Sequence, residues 1–156
     1  TRRSSDLDER KIKRMEDRHL CKARPIGTRK QWVTGFYAVL GEKTVIIVNE
    51  PEKFYDVDSG KNSHGNKIVE VISKTVCQCT GLKDKNGKLI FENDIMEAHI
   101  DEDFPEDVSR FKVEWNGKGW VENHPDGVDR EYLDDFDTEH FKVVGNIFDN
   151  PELLEE

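Results

Sequence analysis

Alternating apolar and polar positions predict short β-strands along most of the chain. The runs QWVTGFYAVL at 31–40 and KTVIIVN at 43–49 are rich in the β-branched and aromatic residues that suit a pleated, half-buried surface. Gly41 predicts the turn between them. A third run, KIVEVI at 67–72, resumes the alternation. Between the second and third runs, residues 50–66 are rich in Pro, Gly, Asn, Ser and Asp, which predicts a long loop.

Two Asn-Gly pairs predict tight turns in the second half of the chain. The pair at 86–87 lies within CTGLKDKNGKLIFENDI, residues 79–95, and the pair at 116–117 lies within SRFKVEWNGKGWVEN, residues 109–123. Asn and Gly adopt positive φ more readily than other residues, as tight hairpin turns require. Short strands joined by close turns indicate a small barrel.

The remaining segments predict loops, a last strand and a terminal helix. Residues 101–107 and 124–139 are acidic and predict loops, whereas FKVVGNIF at 141–148 predicts a strand. Asn150 is suited to cap a helix, and Pro151 is suited to its first position. The predicted fold is therefore mostly β, with antiparallel strands and a short C-terminal helix.

The length of 156 residues fits one domain, or two small lobes that share a core. Residues 1–19 have too few apolar side chains for a core-facing stripe, and we predict a mobile polar extension there. We predict an N-terminal β lobe at 20–74 and a C-terminal lobe with the small barrel at 75–156. Three Trp and eight Phe supply bulk for a core in a chain that is otherwise 37% charged.

Charge is distributed unevenly along the chain. Residues 1–91 carry 19 Lys and Arg against 12 Asp and Glu, whereas residues 92–156 carry 5 against 21. Acidic surfaces attract basic proteins and repel nucleic-acid phosphates. The sequence has no apolar run of about 18 residues, so we expect no membrane partner and a place in the cytoplasm.

Cys77 and Cys79 are candidate zinc ligands because thiolates bind zinc strongly. A structural zinc site usually needs four ligands, and the chain has only one further cysteine, Cys21. Residues separated by one position point to the same face of a strand, so we predict two core-facing thiols. We predict no metal and no cofactor at this pair.

Two acidic segments are weaker candidates for metal binding. DVDSGKNSHGNK at 56–67 departs from the calcium-loop template, because its glycine comes one position early and Lys67 stands where the bidentate glutamate belongs. DDFDTEH at 134–140 gathers four carboxylates and a histidine that could hold a hard divalent cation if they folded inward. Charge runs of this kind are usually solvated faces, which is the interpretation that we favour.

The string KTVCQCTGLKDKNGKLIFENDIM, residues 74–96, resembles the central string of YopX-like proteins of phages, prophages and mobile elements. MEDRHLCKARPIGTRKQWVTGFYAVL at 15–40 is similar to the opening of that family, and VVGNIFDNPELLEE at 143–156 is similar to its ending. Residues 50–66 and 101–139 show no likeness. The resemblance also makes Met15 a possible natural start.

What the resemblance implies is a mostly β protein with a small SH3-like barrel in its C-terminal half, bacterial cytoplasm as the location, and no established activity. Cys77 and Cys79 depart from the family string, as does Asn93, which replaces a glycine but tolerates positive φ. The resemblance implies no catalytic or binding residues. The residues that we predict to form turns and core are Gly81, Leu82, Asn86, Gly87, Phe91, Asp94, Ile95, Trp32, Trp115, Gly117, Trp120, Gly145 and Asn146.

The favoured function is a non-enzymatic accessory protein of a phage or mobile element that binds protein partners, possible self-association included. No catalytic motif is visible, because the five histidines have no nucleophile motif nearby. The alternatives are a metal-dependent enzyme that uses the cluster at 134–140, and weak nucleic-acid binding through the basic arm at 1–30. That arm carries 11 Lys and Arg against 5 Asp and Glu but few aromatics for stacking.

Overall fold

The computed structural model of the protein describes residue 9 and residues 17–27, 31–56, 61–127 and 130–155, and for 49–56 and 61–66 it describes the backbone alone. Most of the predicted extension at 1–19, including Met15, lies outside the described residues. The chain divides into two compact units. One contains Leu20–Val76, and the other contains Cys77–Glu156 with the residues that precede Leu20.

The unit Leu20–Val76 is an antiparallel sheet of four strands in the order β4-β3-β2-β1. Its strands are β1 (Leu20–Ala23), β2 (Val33–Leu40), β3 (Lys43–Asp56) and β4 (Lys61–Glu70), followed by a 3₁₀ turn at Ser73–Thr75. Ala23, Ile46 and Val71 are buried at the centre of its core. Partly buried residues packed against them are Cys21, Val33, Val48, Val69 and Val76.

The prediction of a loop at 50–66 is wrong for most of that segment. β3 continues into this segment to Asp56 and β4 begins in it at Lys61, and the two strands pair, with Val48 opposite Lys67 and Tyr55 opposite Asn62. The register breaks between Glu50 and Phe54, a stretch that includes Pro51. Pro has no N–H to donate to a ladder, so it is tolerated at such an irregularity. Polar residues can also form backbone hydrogen bonds between strands, and such pairing makes this polar segment part of β3 and β4.

The unit that contains Cys77–Glu156 is built from a hairpin and a second antiparallel sheet. β5 (Cys77–Lys83) pairs with β6 (Leu89–Phe91), and the sheet has the order β10-β7-β8-β9. The sheet strands are β7 (Asp94–His99), β8 (Val108–Trp115), β9 (Trp120–Asn123) and β10 (Lys142–Asn146), and helix α1 (Asp135–His140) precedes β10. The mostly β antiparallel fold is confirmed, whereas the SH3-like barrel stays a prediction.

Phe111 occupies the centre of the core of this unit. Its side chain is fully buried, and its ring lies 4.9 Å from that of Phe141, centroid to centroid. Both belong to one cluster with Ile90, Met96, Ala98 and Val113. Trp120, Leu133 and Val143 pack against the cluster from partly buried positions.

A short helix lies inside the segment 124–139 that the sequence predicted as a loop. Asp134 and Asp137 form a capping box, in which each side chain accepts a hydrogen bond from the backbone N–H of the other. This exchange satisfies two of the donors that a helix N-terminus leaves unpaired. Asp at both positions is the sequence signal that could have predicted α1.

The chain ends in a single 3₁₀ turn at Pro151–Leu154, so the short C-terminal helix is confirmed. Pro151 occupies its first turn as expected. Asn150 precedes the turn, but its side chain makes no capping hydrogen bond, contrary to the prediction. None of the helices in the part of the chain that the structure describes has the length and apolar content that crossing a bilayer requires.

The turn at 84–88 depends on a glycine with positive φ. Gly87 has φ +82°, and its N–H donates to the backbone oxygen of Asp84 at 2.9 Å. Gly87→Val is therefore expected to lower the free energy of unfolding by more than about 1 kcal/mol, because Val is strained at positive φ. Chemical unfolding measures this. Lys88→Val is the matched control and should change stability less, because Lys88 is exposed and has no positive φ.

Candidate functional site

The central string combines buried core positions with an exposed turn. Gly81 has φ +80° but lies within β5, at a register irregularity, where a turn was predicted. Leu82, predicted as core, is exposed. Phe91 and Ile95 are buried in β6 and β7. Asn86 lies in the exposed turn before Gly87.

Buried polar side chains hold the loops of this unit. Asp94 is fully buried, and its carboxylate accepts a hydrogen bond from the Phe91 N–H at 2.8 Å. The Oδ1 atom of Asn146 accepts from the N–H groups of Phe148 and Asp149, each at 3.0 Å. These side chains replace the strand partners that the backbone lacks where the chain turns. Gly145 lies beside Asn146, where a Cβ would meet the side chain of Asn150.

The three tryptophans have different environments. Trp32 is half-buried, and the cationic groups of Lys22 and Arg24 lie 5.2 and 5.4 Å from its ring centroid, which is cation–π range. Trp115, predicted as core, is 49% exposed and meets Trp120 edge to face at 5.1 Å. The turn between them contains Gly117, with φ +91°.

Cys77 and Cys79 are both buried on one face of β5, as predicted. The sulfur of Cys79 accepts from the Gly81 N–H at 3.4 Å, and that of Cys77 from the side-chain amide of Asn93 at 3.7 Å. Asn93 has φ +66°, which no other non-glycine residue shares in the described ranges. Among those same residues, no group of three or more His, Cys, Asp or Glu is arranged to hold a metal ion.

The residues of the acidic cluster at 134–140 differ in how deeply they are buried. Asp137 is 3% exposed, whereas Asp134, Asp135, Glu139 and His140 are exposed. Inside the unit, the carboxyl group of Asp137 shares a hydrogen bond with Glu122 of β9. The carboxylate of Glu122 in turn lies 2.6 Å from Nε2 of His124.

These surroundings raise the pKa of Asp137 from 3.8 to about 7. Burial is the largest cause, because it disfavours the charged form. The hydrogen bond and the negative charge of Glu122 act in the same direction, and the backbone N–H of Asp134 acts against them. Asp137 is thus a carboxyl group that holds its proton close to neutral pH.

A cleft of about 460 Å³ lies on the surface of the same unit, and we call it the acidic cleft. It brings the loop at 101–107 beside the end of α1. Both histidines that line it are held through Nδ1: that of His99 lies 3.1 Å from the carbonyl oxygen of Pro105, and that of His140 lies 2.9 Å from that of Phe136. The residues that line the acidic cleft are Lys85, His99, Asp101, Glu102, Pro105, Glu139 and His140.

Exposed apolar side chains flank the acidic cleft. Phe104, within the acidic loop at 101–107, is 53% exposed, whereas Ile100, which precedes this loop and is 74% exposed, lines the second cleft described below. Phe136 of α1 is 60% exposed, and its ring stacks on His140 at 4.1 Å. Large apolar residues grouped on a surface and rimmed by polar ones are typical of interaction sites.

A second cleft, of about 400 Å³, is lined by Arg110, His124, Leu153 and Leu154 among others. Its charged groups are mixed in sign. Arg110 is held by Glu97 at 2.8 Å, and Asp126 and Glu155 also line the cleft. This mixture does not favour one class of charged ligand.

Sequence reasoning missed the site because its parts lie far apart in the chain. The acidic loop at 101–107 and the cluster at 134–140 were each noticed as charged segments. Glu122 and His124 gave no signal beyond the alternation of a strand. The spacing of the residues in the chain could not show that the end of β7, the acidic loop and the end of α1 meet around one cleft.

The sequence model of the YopX family, described as "YopX protein", matches residues 39–155. The chain belongs to the YopX family. The match includes the string at 74–96 and extends across 50–66 and 101–139, where the sequence had shown no likeness. No curated protein matches the chain significantly.

A solved structure has the same fold as this YopX chain. It is described as the crystal structure of protein EF1440 from Enterococcus faecalis, with a TM-score of 0.50 and 22% sequence identity. The similarity covers 86% of the YopX chain and 96% of the Enterococcus chain. At this identity the likeness concerns the fold alone.

Proposed function

We propose that this YopX protein is a non-enzymatic accessory protein of a phage, prophage or mobile element, and that it binds a basic protein partner through the acidic cleft. The single observation that carries the proposal is the meeting of two acidic segments at one cleft. The proposed setting is the cytoplasm of a bacterial host.

The charge of the surface around the cleft favours a cationic partner. Lys85 is the one basic Lys or Arg side chain among the residues that line the cleft. Clefts lined by one sign of charge focus the field and raise the local concentration of the opposite charge. The exposed carboxylates of the acidic loop and α1 are Asp101, Glu102, Asp103, Glu106, Asp107, Asp135 and Glu139.

The apolar residues beside the cleft favour a protein over a nucleic acid or a simple cation. Phe104 and Phe136 offer exposed apolar area that a peptide side chain can cover, and aromatic anchors of this kind dominate protein interfaces. Nucleic-acid phosphates would be repelled by the same carboxylates. A second copy of the chain is one candidate partner, because residues 1–30 carry 11 Lys and Arg against 5 Asp and Glu.

The proposal predicts the loss of peptide binding when the cleft is neutralised. The probe is a labelled amphipathic peptide of Lys and Leu, and its binding is measured by fluorescence anisotropy. Asp101→Asn, Glu102→Gln and Glu139→Gln together are expected to weaken binding about tenfold, because each exposed charge contributes a few tenths of a kcal/mol to 1 kcal/mol. Binding should also weaken as salt is raised.

The matched control removes the same charge elsewhere on the surface. Glu42→Gln, Glu131→Gln and Glu152→Gln together change three exposed carboxylates that line neither cleft. This variant should bind the peptide almost as the unchanged protein does. Equal weakening in both variants would show that net charge alone attracts the peptide. No binding to any variant at low salt would refute the proposed function.

A further inference from the structure

The end of β2 exposes apolar side chains on both faces of the sheet in the unit Leu20–Val76. Successive residues of a strand point to opposite faces, so Phe36 and Leu40 lie on one face, and Tyr37 and Val39 lie on the other. All four residues are between 46% and 56% exposed. The core of the unit therefore leaves this part of β2 uncovered. We call residues 36–40 the apolar edge.

The sheet is open on one side of these residues. β1 begins at Leu20, which lies opposite Phe36. Beyond that point no strand of the described residues pairs with this side of β2, whereas the other side pairs with β3 as far as Leu40. Open strand edges are the usual template for pairing with another chain.

The backbone groups of Val39 point to this open side. Val71 donates its N–H to the backbone oxygen of Thr44 at 2.9 Å, so Thr44 directs its backbone groups away from β2. Val39 is the residue of β2 that lies opposite Thr44. Opposite residues of an antiparallel pair either bond each other or both point away. The N–H and C=O groups of Val39 are therefore directed away from β3, to the open side.

We infer that the apolar edge is a self-association surface, at which β2 of one copy pairs with β2 of a second copy. An antiparallel pair with a two-fold axis at Val39 places the Val39 residues of the two copies opposite each other, where their N–H and C=O groups can bond. The same register places Ala38 of each copy opposite Leu40 of the other. Apolar side chains thus meet apolar side chains on both faces of the joined sheet.

The charges around the apolar edge favour a second copy over a strongly charged partner. No charged residue lies between Val33 and Leu40, so the pairing buries no unpaired charge. The next residues, Glu42 and Lys43, are opposite in sign, and Lys43 lies 3.5 Å from Glu70. The local charge is balanced although the whole chain carries a net charge of −9, so two copies can approach here without repulsion.

The buried area determines the strength of the contact. Half of a buried aromatic side chain is about 75–125 Å², so the four half-exposed residues of two copies bury roughly 600–1,000 Å² together. Stable interfaces bury about 1,200–2,000 Å². The expected complex is therefore a weak dimer that depends on protein concentration. A two-fold contact is closed, so association stops at the dimer.

Sedimentation equilibrium over about a hundredfold range of protein concentration tests this inference. The unchanged protein is expected to shift from monomer to dimer. Val39→Lys should raise the dissociation constant of the dimer at least about tenfold, because like charges would face each other at the two-fold axis. Val39→Glu should do the same. An equal mixture of the two variants should dimerise again, because opposite charges then meet at the axis.

Ile68→Lys is the matched control, because it adds the same charge to the same unit at a residue of β4 that is 57% exposed. This variant should dimerise as the unchanged protein does. Circular dichroism checks that the Val39 variants are folded. If they do not fold, hydrogen exchange of the unchanged protein decides the question, since protection of the Val39 N–H should rise with protein concentration.

Several outcomes would overturn this inference. They are a monomer at every concentration, a dimer that Val39→Lys leaves intact, equal loss of the dimer in Ile68→Lys, and a mixture of the two Val39 variants that stays monomeric. Val39 N–H protection that is independent of concentration would overturn it as well.

The acidic cleft offers a separate comparison, because its proposed function does not depend on the apolar edge. The variant with Asp101→Asn, Glu102→Gln and Glu139→Gln should dimerise as the unchanged protein does while its peptide binding weakens. The dimer should also persist as salt is raised, because apolar contact holds it. Loss of the dimer in this cleft variant would assign self-association to the acidic cleft and overturn the pairing of β2. A dimer without any peptide binding would support the apolar edge and refute the proposed function.

Discussion

Asp84→Ala is expected to lower the free energy of unfolding by about 3–5 kcal/mol, because three backbone donors lose a charged acceptor. The Oδ1 atom of Asp84 accepts from the N–H groups of Asn86 and Lys88, and Oδ2 accepts from that of Val143, each at 2.9 Å. The residue is only 6% exposed, so water cannot easily replace it. One carboxylate thus closes the turn after β5 and attaches it to β10.

Chemical unfolding of the purified variant measures this effect. Asp84→Asn should cost less, since its amide oxygen can still accept from the turn while the bond to Val143 is lost. Asp101→Ala is the matched control, because Asp101 accepts from the Asp103 N–H at 2.9 Å in an exposed loop where water can take over. Similar losses for Asp84→Ala and Asp101→Ala would contradict the structural role assigned to Asp84.

Gly35→Ala is expected to destabilise the unit Leu20–Val76 by about 3 kcal/mol or more, a loss at the upper end of overpacking effects. Gly35 lies buried in β2, where a Cβ would come within 2.2 Å of the backbone oxygen of Ile47 and 2.9 Å of a side-chain carbon of Ile46. The nearer atom belongs to the backbone of β3. A side chain can rotate away from a new methyl group, but a paired strand cannot move without losing hydrogen bonds.

Limited proteolysis and chemical unfolding would report this loss. Gly41→Ala is an informative comparison, because Gly41 has open space around it but φ +64°. Its expected cost is about 1 kcal/mol, from backbone strain alone. A smaller loss for Gly35→Ala than for Gly41→Ala would show that β2 and β3 can separate without penalty, and the described packing of that pair would be wrong.

The sequence predicted secondary structure correctly where the side chain or the backbone preference of individual residues determines the local conformation. Alternation located β2 and the start of β3, and Gly87 and Gly117 have the positive φ that their Asn-Gly pairs indicated. The same reasoning failed at 50–66, where the composition of a loop is compatible with a paired hairpin. It also failed at α1, because a six-residue helix depends on its cap and its packing more than on propensity.

By itself, the sequence determined the antiparallel β class, the turns, the uneven charge and the family likeness, because these depend on residue type and on spacing along the chain. Only the tertiary structure decided that Asp84 joins a turn to β10, that Gly35 lies against a carbonyl of β3, and that Leu82 and Trp115 are exposed. It also placed Asp101 and Glu139 around one cleft and buried Asp137. The physical reason is that burial, hydrogen bonding and pKa depend on neighbours in space, and strand pairing makes neighbours of residues that lie far apart in the chain.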